Sequence, residues 1–385
     1  MSERKDIVKL VANGVELQTF EYINLPTSIL SPTSAFQFKY KPKNDIVRGK
    51  YKLLDLVKPQ DEVVIYINDI KYLTGYIVNV DWEESVDGEM LNIEGMDTVS
   101  YCLLESVAIP KTYNERDFIK LVENVIADNE FTDFVKVQNL TGVDLTINKQ
   151  EEEIQPDGNE TVLAFIGRYA KKVQVLLTTT SEGDLVFYRE GDLGKLLGKF
   201  PNYSKAPIAL INSVTTQKTN MLSTRASFSV LDRPYYLEIY SQNSNNVNDI
   251  NAASPSATAI DTQIKIPKRQ RIMINDPTEA ESLLEIAKWN VNIKRSQSTA
   301  YTCTLQGFSY SPENKDYWKI NTYVELLDEK KDFNGEFLIA EVNFTKDING
   351  TFTNLKIVNK GSHTLDIEKA IKRLSRNNFG KQFQD

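Results

Sequence analysis

The 385-residue chain has a single histidine, His363, so any mechanism that needs an imidazole must use that one residue, and multi-histidine metal sites do not arise. It sits in NKGSHTL near the end of the sequence, where a turn residue is the expected role. Cysteine is nearly as scarce. Cys102 and Cys303 lie in apolar-patterned segments without CxxC spacing, and they read as buried thiols, neither a disulfide scaffold nor a metal site. No run of ~18 apolar residues offers a membrane-spanning helix. The opening MSERKDIVKL has no apolar stretch of the kind a secretory signal carries, so synthesis and folding in a cytoplasm are expected. Basic charge is in deficit, 45 Lys and Arg against 53 Asp and Glu, for a formal net charge of -8. That balance argues against general affinity for nucleic acid or membrane, both anionic. It suits a surface past which DNA has to slide.

What is present is a soluble composition, 41% apolar and 25% charged, in a chain long enough for two to four folding units at ~100–200 residues each. Short alternating runs dominate the first part. IVKLVANGVEL carries an Asn13-Gly14 hairpin signal, and DEVVIYINDIKYLTGYI places two apolar strands around Asn68-Asp69. TGYIVNVDWEESVDGEMLNIEG then reads as strand, Asp87-Gly88 turn and strand. NGEFLIAEVNFTKDINGTFTNLKI, far downstream, repeats that plan around Asn334-Gly335 and Asn349-Gly350. The β unit is therefore expected twice, at 1–110 and 301–365.

Between them the pattern changes. Phe118, Leu121, Val122, Val125 and Ile126 form one stripe at helical spacing, with Asn114 as the expected cap and Asp117 at the third helical position. A second helix is expected from Asn159, with Val162, Leu163, Phe165, Ile166 and Tyr169 inward, before the hairpin VQVLLTTTSEGDLVFYRE. Residues 111–200 read as an α+β insertion and 201–245, including RPYYLEIYSQ, as strands returning to the β core. Ser241 to Asp261 is rich in Asn, Ser and Ala and reads as linker, since it has little apolar surface to offset the cost of ordering. Asp276-Pro277-Thr278-Glu279 has the form of a helix start, so 246–300 reads as linker and helix. Residues 366–385 read as a basic amphipathic helix and aromatic tail whose Ile367, Ile371, Leu374, Phe379 and Phe383 are the candidate contacts to a partner.

A search for chemistry yields no catalytic constellation. Taking Gly335 as the turn glycine of a calcium loop puts Asp332, Asn334 and Glu341 at positions three, five and twelve, but Lys330 then stands where a carboxylate must bind; an Asn-Gly hairpin explains the run better. GDLGKLLGKF lacks phosphate-loop spacing and has Phe200 where Ser or Thr would meet magnesium. Asp81, Glu83 and Glu84 around Trp82 imitate a sugar site without the spacing that selects an acid pair, and Lys265, Lys268, Arg269 and Arg271 read as a solvated basic face. No cofactor and no catalytic or metal-binding residue is assigned.

Three segments carry a resemblance to a known family. GYIVNVDWEESVDGEMLNIEGMDTVSYCLLES resembles the strand, turn, strand and helical turn of the baseplate hub proteins of tailed phages, those of the phage Mu type foremost. NETVLAFIGRYAKKVQVLLTTTSEGDLVFYR is similar to their helix running into a hairpin, with Gly183-Asp184-Leu185-Val186-Phe187 at the turn. DPTEAESLLEIAKWNVNIKRSQSTAYTCTLQGFSYSPENKDYWKINTYVELLD is similar to their long helix, Gly-containing strand and Trp before the next strand. The resemblance extends to the hubs of contractile injection systems and to phage late control proteins, and runs from about residue 8 to 362. The Asn-rich linker and the tail after Leu365 depart from it.

The resemblance implies a β-rich α+β protein with two β-barrel-like, tail-tube-like units, decorated by α+β segments and assembled as a homotrimer whose ring is pseudo-sixfold. It implies a non-enzymatic hub in the virion tail baseplate, assembled in the host bacterial cytoplasm. The hub would join a sixfold tail tube to a threefold central spike and let DNA pass. The implied partners are the spike, the tail tube or a distal tail tube-initiator protein, and the tape measure protein, with DNA only in transit and no membrane binding of its own. Two readings from other classes stand beside it: a tail-associated cell-wall hydrolase, which needs an acid pair in a groove, and a carbohydrate-binding adhesin using exposed aromatics such as Trp82, Tyr235 or Trp318.

Overall fold

A computed structural model of the chain describes residues 6–42, 57–86, 88–147, 153–190, 209–241, 255–274, 280–310 and 316–360. Its opening strands are β1 (Val8–Ala12), β2 (Val15–Leu17), β3 (Phe20–Ser28), β4 (Ala35–Tyr40), β5 (Glu62–Ile67), β6 (Ile70–Ser85) and β7 (Gly88–Asp97). Asn13 and Gly14 (φ 50 and 75) turn β1 into β2, and Asn68 and Asp69 (φ 53 and 68) turn β5 into β6; positive φ at both central positions matches the right-handed twist of the strands. Burial alternates along these strands. In β5, Val63, Ile65 and Ile67 are fully enclosed while their neighbours face outward, as one buried sheet face requires.

A π-helical segment, Ser100–Leu104, leads into the insertion: α1 (Phe118–Asp128), β8 (Val137–Asn139), α2 (Val162–Lys172), β9 (Leu176–Thr179) and β10 (Leu185–Tyr188). The helical stripe Phe118, Leu121, Val122, Val125 and Ile126 is buried, against a core that includes Phe165, Tyr169 and Phe187. The caps sit later than expected. Asp117 itself caps α1, accepting from the N–H groups of Ile119 and Lys120, and Thr161 caps α2 through the N–H of Ala164. Asp117 has extended backbone angles and is therefore outside the helix, not at its third position.

The chain continues through β11 (Ala209–Ser213), β12 (Lys218–Thr219), β13 (Ser223–Phe228), β14 (Tyr236–Ser241), β15 (Ser256–Ile260), β16 (Arg269–Ile274), α3 (Ala280–Ser298), β17 (Thr299–Gln306), β18 (Tyr323–Asp328), β19 (Phe333–Asp347) and β20 (Gly350–Asn359). Two expectations need correcting here. Residues 256–260 form a strand, not linker, because Ser256, Ala257, Thr258 and Ala259 are small enough to pair along β14 and bury Ala259. Tyr236–Ser241 does not return to the main sheet. It is the centre of a separate sheet β15-β14-β16, whose Leu237 and Ile239 pack on Leu283, Ile286 and Ala287 of α3. A third correction concerns Asn334-Gly335. Both residues lie inside β19, opposite Leu327 and Leu326, and the turn from β18 is made upstream, where Asp332 has φ 57 and Asp328 accepts the N–H groups of Lys330 and Lys331.

Fourteen strands form one sheet, and its internal order contains a repetition. The pairing β5-β6-β7-β4-β3 recurs as β18-β19-β20-β17-β13, all antiparallel in both runs. The match holds to single residues. The hairpins β6–β7 and β19–β20 each carry a register shift after an isoleucine, at Ile77/Asn79 and Ile339/Glu341, and a constant offset of 262 residues relates Ile77 to Ile339, Gly88 to Gly350 and Gly95 to Ile357. Gly95 differs from its counterpart for a steric reason. A Cβ there would lie 2.2 Å from the Phe36 ring and 2.3 Å from the Tyr76 carbonyl oxygen, so this half of the repeat admits no side chain at that point. One shared core joins the halves, with Phe38, Ile65 and Ile93 from the first and Tyr301, Phe344 and Leu355 from the second.

Candidate assembly surface

The two five-stranded units meet at one junction. β3 of the first unit lies along the far half of β19 of the second, from Ser28↔Glu341 to Ile23↔Lys346, and the N–H of Ile29 extends the contact to the Ala340 carbonyl at 2.8 Å. Phe344, Val342, Leu25 and Ile23 line its buried face. β19 is thus accompanied on that side by β18 from Phe333 to Leu338 and by β3 from Glu341 to Lys346.

Among the described residues β6, the counterpart of β19, is accompanied only in part. β5 covers only Ile70–Tyr76, and from Asn79 to Ser85 the strand pairs with β7 alone among the described residues. β13, the counterpart of β3, pairs with β17 and leaves its other edge bare among the described residues. Apolar side chains crowd these two edges. Trp82 is 49% and Phe228 65% exposed, with Val86, Leu222, Val230 and Leu231 exposed nearby. Open strand edges with apolar residues are places where another strand adds. From the sequence Trp82 stands as one exposed aromatic at a charged strand end, a sugar contact only in the adhesin alternative, and Ser223–Phe228 is not singled out; the uncovered edges follow from the strand pairings and from no sequence signal.

The other candidates do not converge on a reaction centre. Trp318 is 6% exposed and packs in the main core, unavailable to a glycan, while Tyr235 stands edge-on to Tyr236 at 4.6 Å beside the small sheet. Asp81, Glu83 and Glu84 line the outer end of β6, with Asp81 accepting from Asn79 at 2.9 Å. Arg269 and Arg271 pair with Glu238, and Lys268 donates to the Leu231 carbonyl, which makes that basic run part of the small sheet's own bonding. Asp332, Asn334 and Glu341 do not form a loop site, and no cluster of three or more metal-ligating side chains occurs among the described residues. Cys102 and Cys303 are buried, which pushes their thiols up to about 11 and about 12. No helix among the described residues is long and apolar enough to cross a membrane. Ile367, Ile371, Leu374, Phe379 and Phe383, with His363 and Phe200, lie outside the described residues.

Among the described residues one acid has the raised pKa that catalytic acids often show. Burial pushes Asp97 up to about 6, against hydrogen bonds from the Ser100 N–H at 2.8 Å, the Ser100 hydroxyl at 2.9 Å and the Ser34 N–H. These donors close it inside the β7 end, so it fastens the chain and meets no substrate. Its folded pKa lies above the unfolded value of 3.8, so its contribution to stability is complete below that value and is lost as pH rises through about 6. Unfolding in urea should show Asp97 contributing about 1 kcal/mol more at pH 5 than at pH 7. An Asp97→Asn variant with the same pH 5 to pH 7 difference as wild type would refute this.

No protein-family model matches the sequence, and no curated protein does. Solved structures do match. The 43 kDa tail protein of prophage MuSo2 from Shewanella oneidensis superposes with a TM-score of 0.75 at 21% identity, over 93% of this chain and 99% of that one. The tail protein from Neisseria meningitidis MC58 gives 0.75 at 17%, over 94% and 99%. A component of the Escherichia coli type VI secretion system, described as structurally similar to the T4 bacteriophage tail proteins gp27 and gp5, gives 0.54 at 11%, over 92% and 78%. The fold is that of phage tail and hub-like proteins.

Proposed function

We propose that this chain is the structural baseplate hub of a phage tail or phage-like particle. Three copies form a ring of six similar β units, which joins a sixfold tail tube, directly or through a distal tail tube-initiator protein, to a threefold central spike. The observation that carries this reading is the register-matched repeat: two copies of one five-stranded unit in each chain give a trimer six near-equivalent faces. The fold shared end to end with phage tail proteins supports it. The role is mechanical, not enzymatic. The spike and tube dock on opposite faces, the tape measure protein ends at the hub, and the net charge of -8 lets DNA pass without adhering. The protein resides in the virion tail baseplate after assembly in the host cytoplasm.

Light scattering on the purified chain should give three times its 43.9 kDa, and negative-stain averages should show a central hole with six lobes. A monomer at all concentrations, alone and mixed with the spike, would sink the proposal.

A further inference from the structure

The repeat supplies the geometry of the contact between copies as well as their number. Resting on the ring reading above, we infer that β13 of one copy adds antiparallel to the outer half of β6 in the next, in the register that β3 takes on β19 within the chain. The correspondence is fixed by pairings already described. The offset of 262 carries Glu341 to Asn79 and Lys346 to Glu84. Along β4, Gln37 faces Glu94 as Thr302 faces Lys356; across the next pairing, Gln37 meets Asn24 as Thr302 meets Arg225. Asn24 therefore corresponds to Arg225, Leu25 to Ala226, Pro26 to Ser227 and Thr27 to Phe228.

Transferring the β3–β19 register places Val80 opposite Phe228, Asp81 opposite Ser227, Trp82 opposite Ala226 and Glu83 opposite Arg225. Three independent features fit. Trp82 and Phe228 occupy the positions of Phe344 and Thr27, so the face buried inside the chain by Phe344 and Leu25 would be closed between copies by Trp82 over Ala226. The odd exposure of two large aromatics is then accounted for. Glu83 and Arg225, neither of which has an ion-pair partner among the described residues, face each other with opposite charge. Finally, the edges are of matching kind: among the described residues each lacks a neighbour where its counterpart has one.

The spacing of the side chains follows too. Pro26 has no N–H to donate, and Ile29 is the residue whose N–H points at β19, so Asn343↔Pro26 is a non-hydrogen-bonded pair. Asp81↔Ser227 and Glu83↔Arg225 inherit that geometry, with Cα atoms about 4.5 Å apart and side chains on one face. Such a separation lies in the range that a disulfide spans.

The test uses the full chain carrying Asp81→Cys and Ser227→Cys, oxidised mildly and run on a non-reducing gel. A covalent three-chain product is expected, absent from each single variant and from Asp81→Cys combined with Ser223→Cys, which is out of register. The native thiols are buried and raised in pKa, so they do not compete. Independently, Glu83→Arg and Arg225→Glu should each raise the concentration of half-assembly roughly tenfold, and the two together should restore it. A wild-type trimer by light scattering whose engineered pair stays unlinked, with no rescue in the swap, overturns the edge assignment and leaves the ring. A wild-type chain that never leaves the monomer overturns both.

Discussion

Asp261→Ala should lower stability by about 3–5 kcal/mol, because it strands two arginines in one enclosed site. Asp261 is 1% exposed and lies just past β15. One carboxylate oxygen accepts from Nε and Nη2 of Arg233 at 2.9 and 2.8 Å; the other accepts from Nε and Nη2 of Arg295 at 2.9 and 2.8 Å. Arg233 also donates to Gln263 and to Ser298, which closes the network. Arg233 precedes β14 and Arg295 is in the last turn of α3, so the carboxylate adds a polar clip to the apolar packing between the small sheet and the helix. Without it, two desolvated guanidinium groups face each other with no counter-charge. The cost belongs to the orphaned charges more than to the pair itself. Replacing all three, as Arg233→Met, Asp261→Leu and Arg295→Met, should therefore cost less than Asp261→Ala alone. Urea midpoints of wild type, Asp261→Ala and the triple variant check this, and a loss below about 1 kcal/mol for the single change would contradict it.

Much of this architecture was legible because its signals are local. Asn13-Gly14 and Asn68-Asp69 make turns that need positive φ in consecutive residues, and short polar or glycine side chains tolerate it. The stripes of α1 and α2 need only neighbours three and four residues apart. Where local rules misled, a specific competitor won. Asn334-Gly335 looks like a turn, yet the side chain of Asp328 holds the N–H groups of Lys330 and Lys331 and turns the chain earlier, leaving Gly335 in the strand. Ser256–Ile260 has no apolar alternation to announce a strand; its order comes from β14, which supplies backbone partners on the adjoining edge. The assembly surface was the least legible part. Its features are a neighbour that β6 and β13 lack among the described residues, and pairings such as Ser223↔Thr304 or Leu25↔Phe344 join residues far apart in sequence. The duplicated hairpins were visible in the order of residues, but that β3 fills in one unit the place left open in the other required the pairings themselves.

Asp328→Ala should cost about 3–5 kcal/mol and should also weaken assembly, because Asp328 holds Lys331, which bonds Thr224 of β13. The residue is fully buried at the end of β18. It accepts from the Tyr301 hydroxyl at 2.7 Å, from Asn212 Nδ2 at 3.1 Å and from Lys331 Nζ at 3.1 Å, and Lys331 donates onward to Thr224 of β13. Burial works against its charge, but the hydrogen bonds from Tyr301, Asn212 and Lys331 outweigh it and hold the carboxyl below its usual range. The sign for pH follows: a depressed folded pKa gives stability that is present above the unfolded value of 3.8 and lost as pH falls through the folded one. Wild type should lose this contribution below about pH 4, and Asp328→Ala should have none to lose. Its expected structural effect is directional. With the carboxylate gone, Lys331 keeps its charge beside Tyr301 without its acid, and Thr224 loses its anchor to β18. Among the described residues β13 is then held by β17 alone, with a less fixed edge to offer the next copy. Hydrogen exchange should rise first in Ser223–Phe228, and the trimer should dissociate at higher concentration than wild type before global unfolding begins. Equal exchange in β13 between variant and wild type, with the stability loss present, would show that Asp328 supports the core without governing the edge.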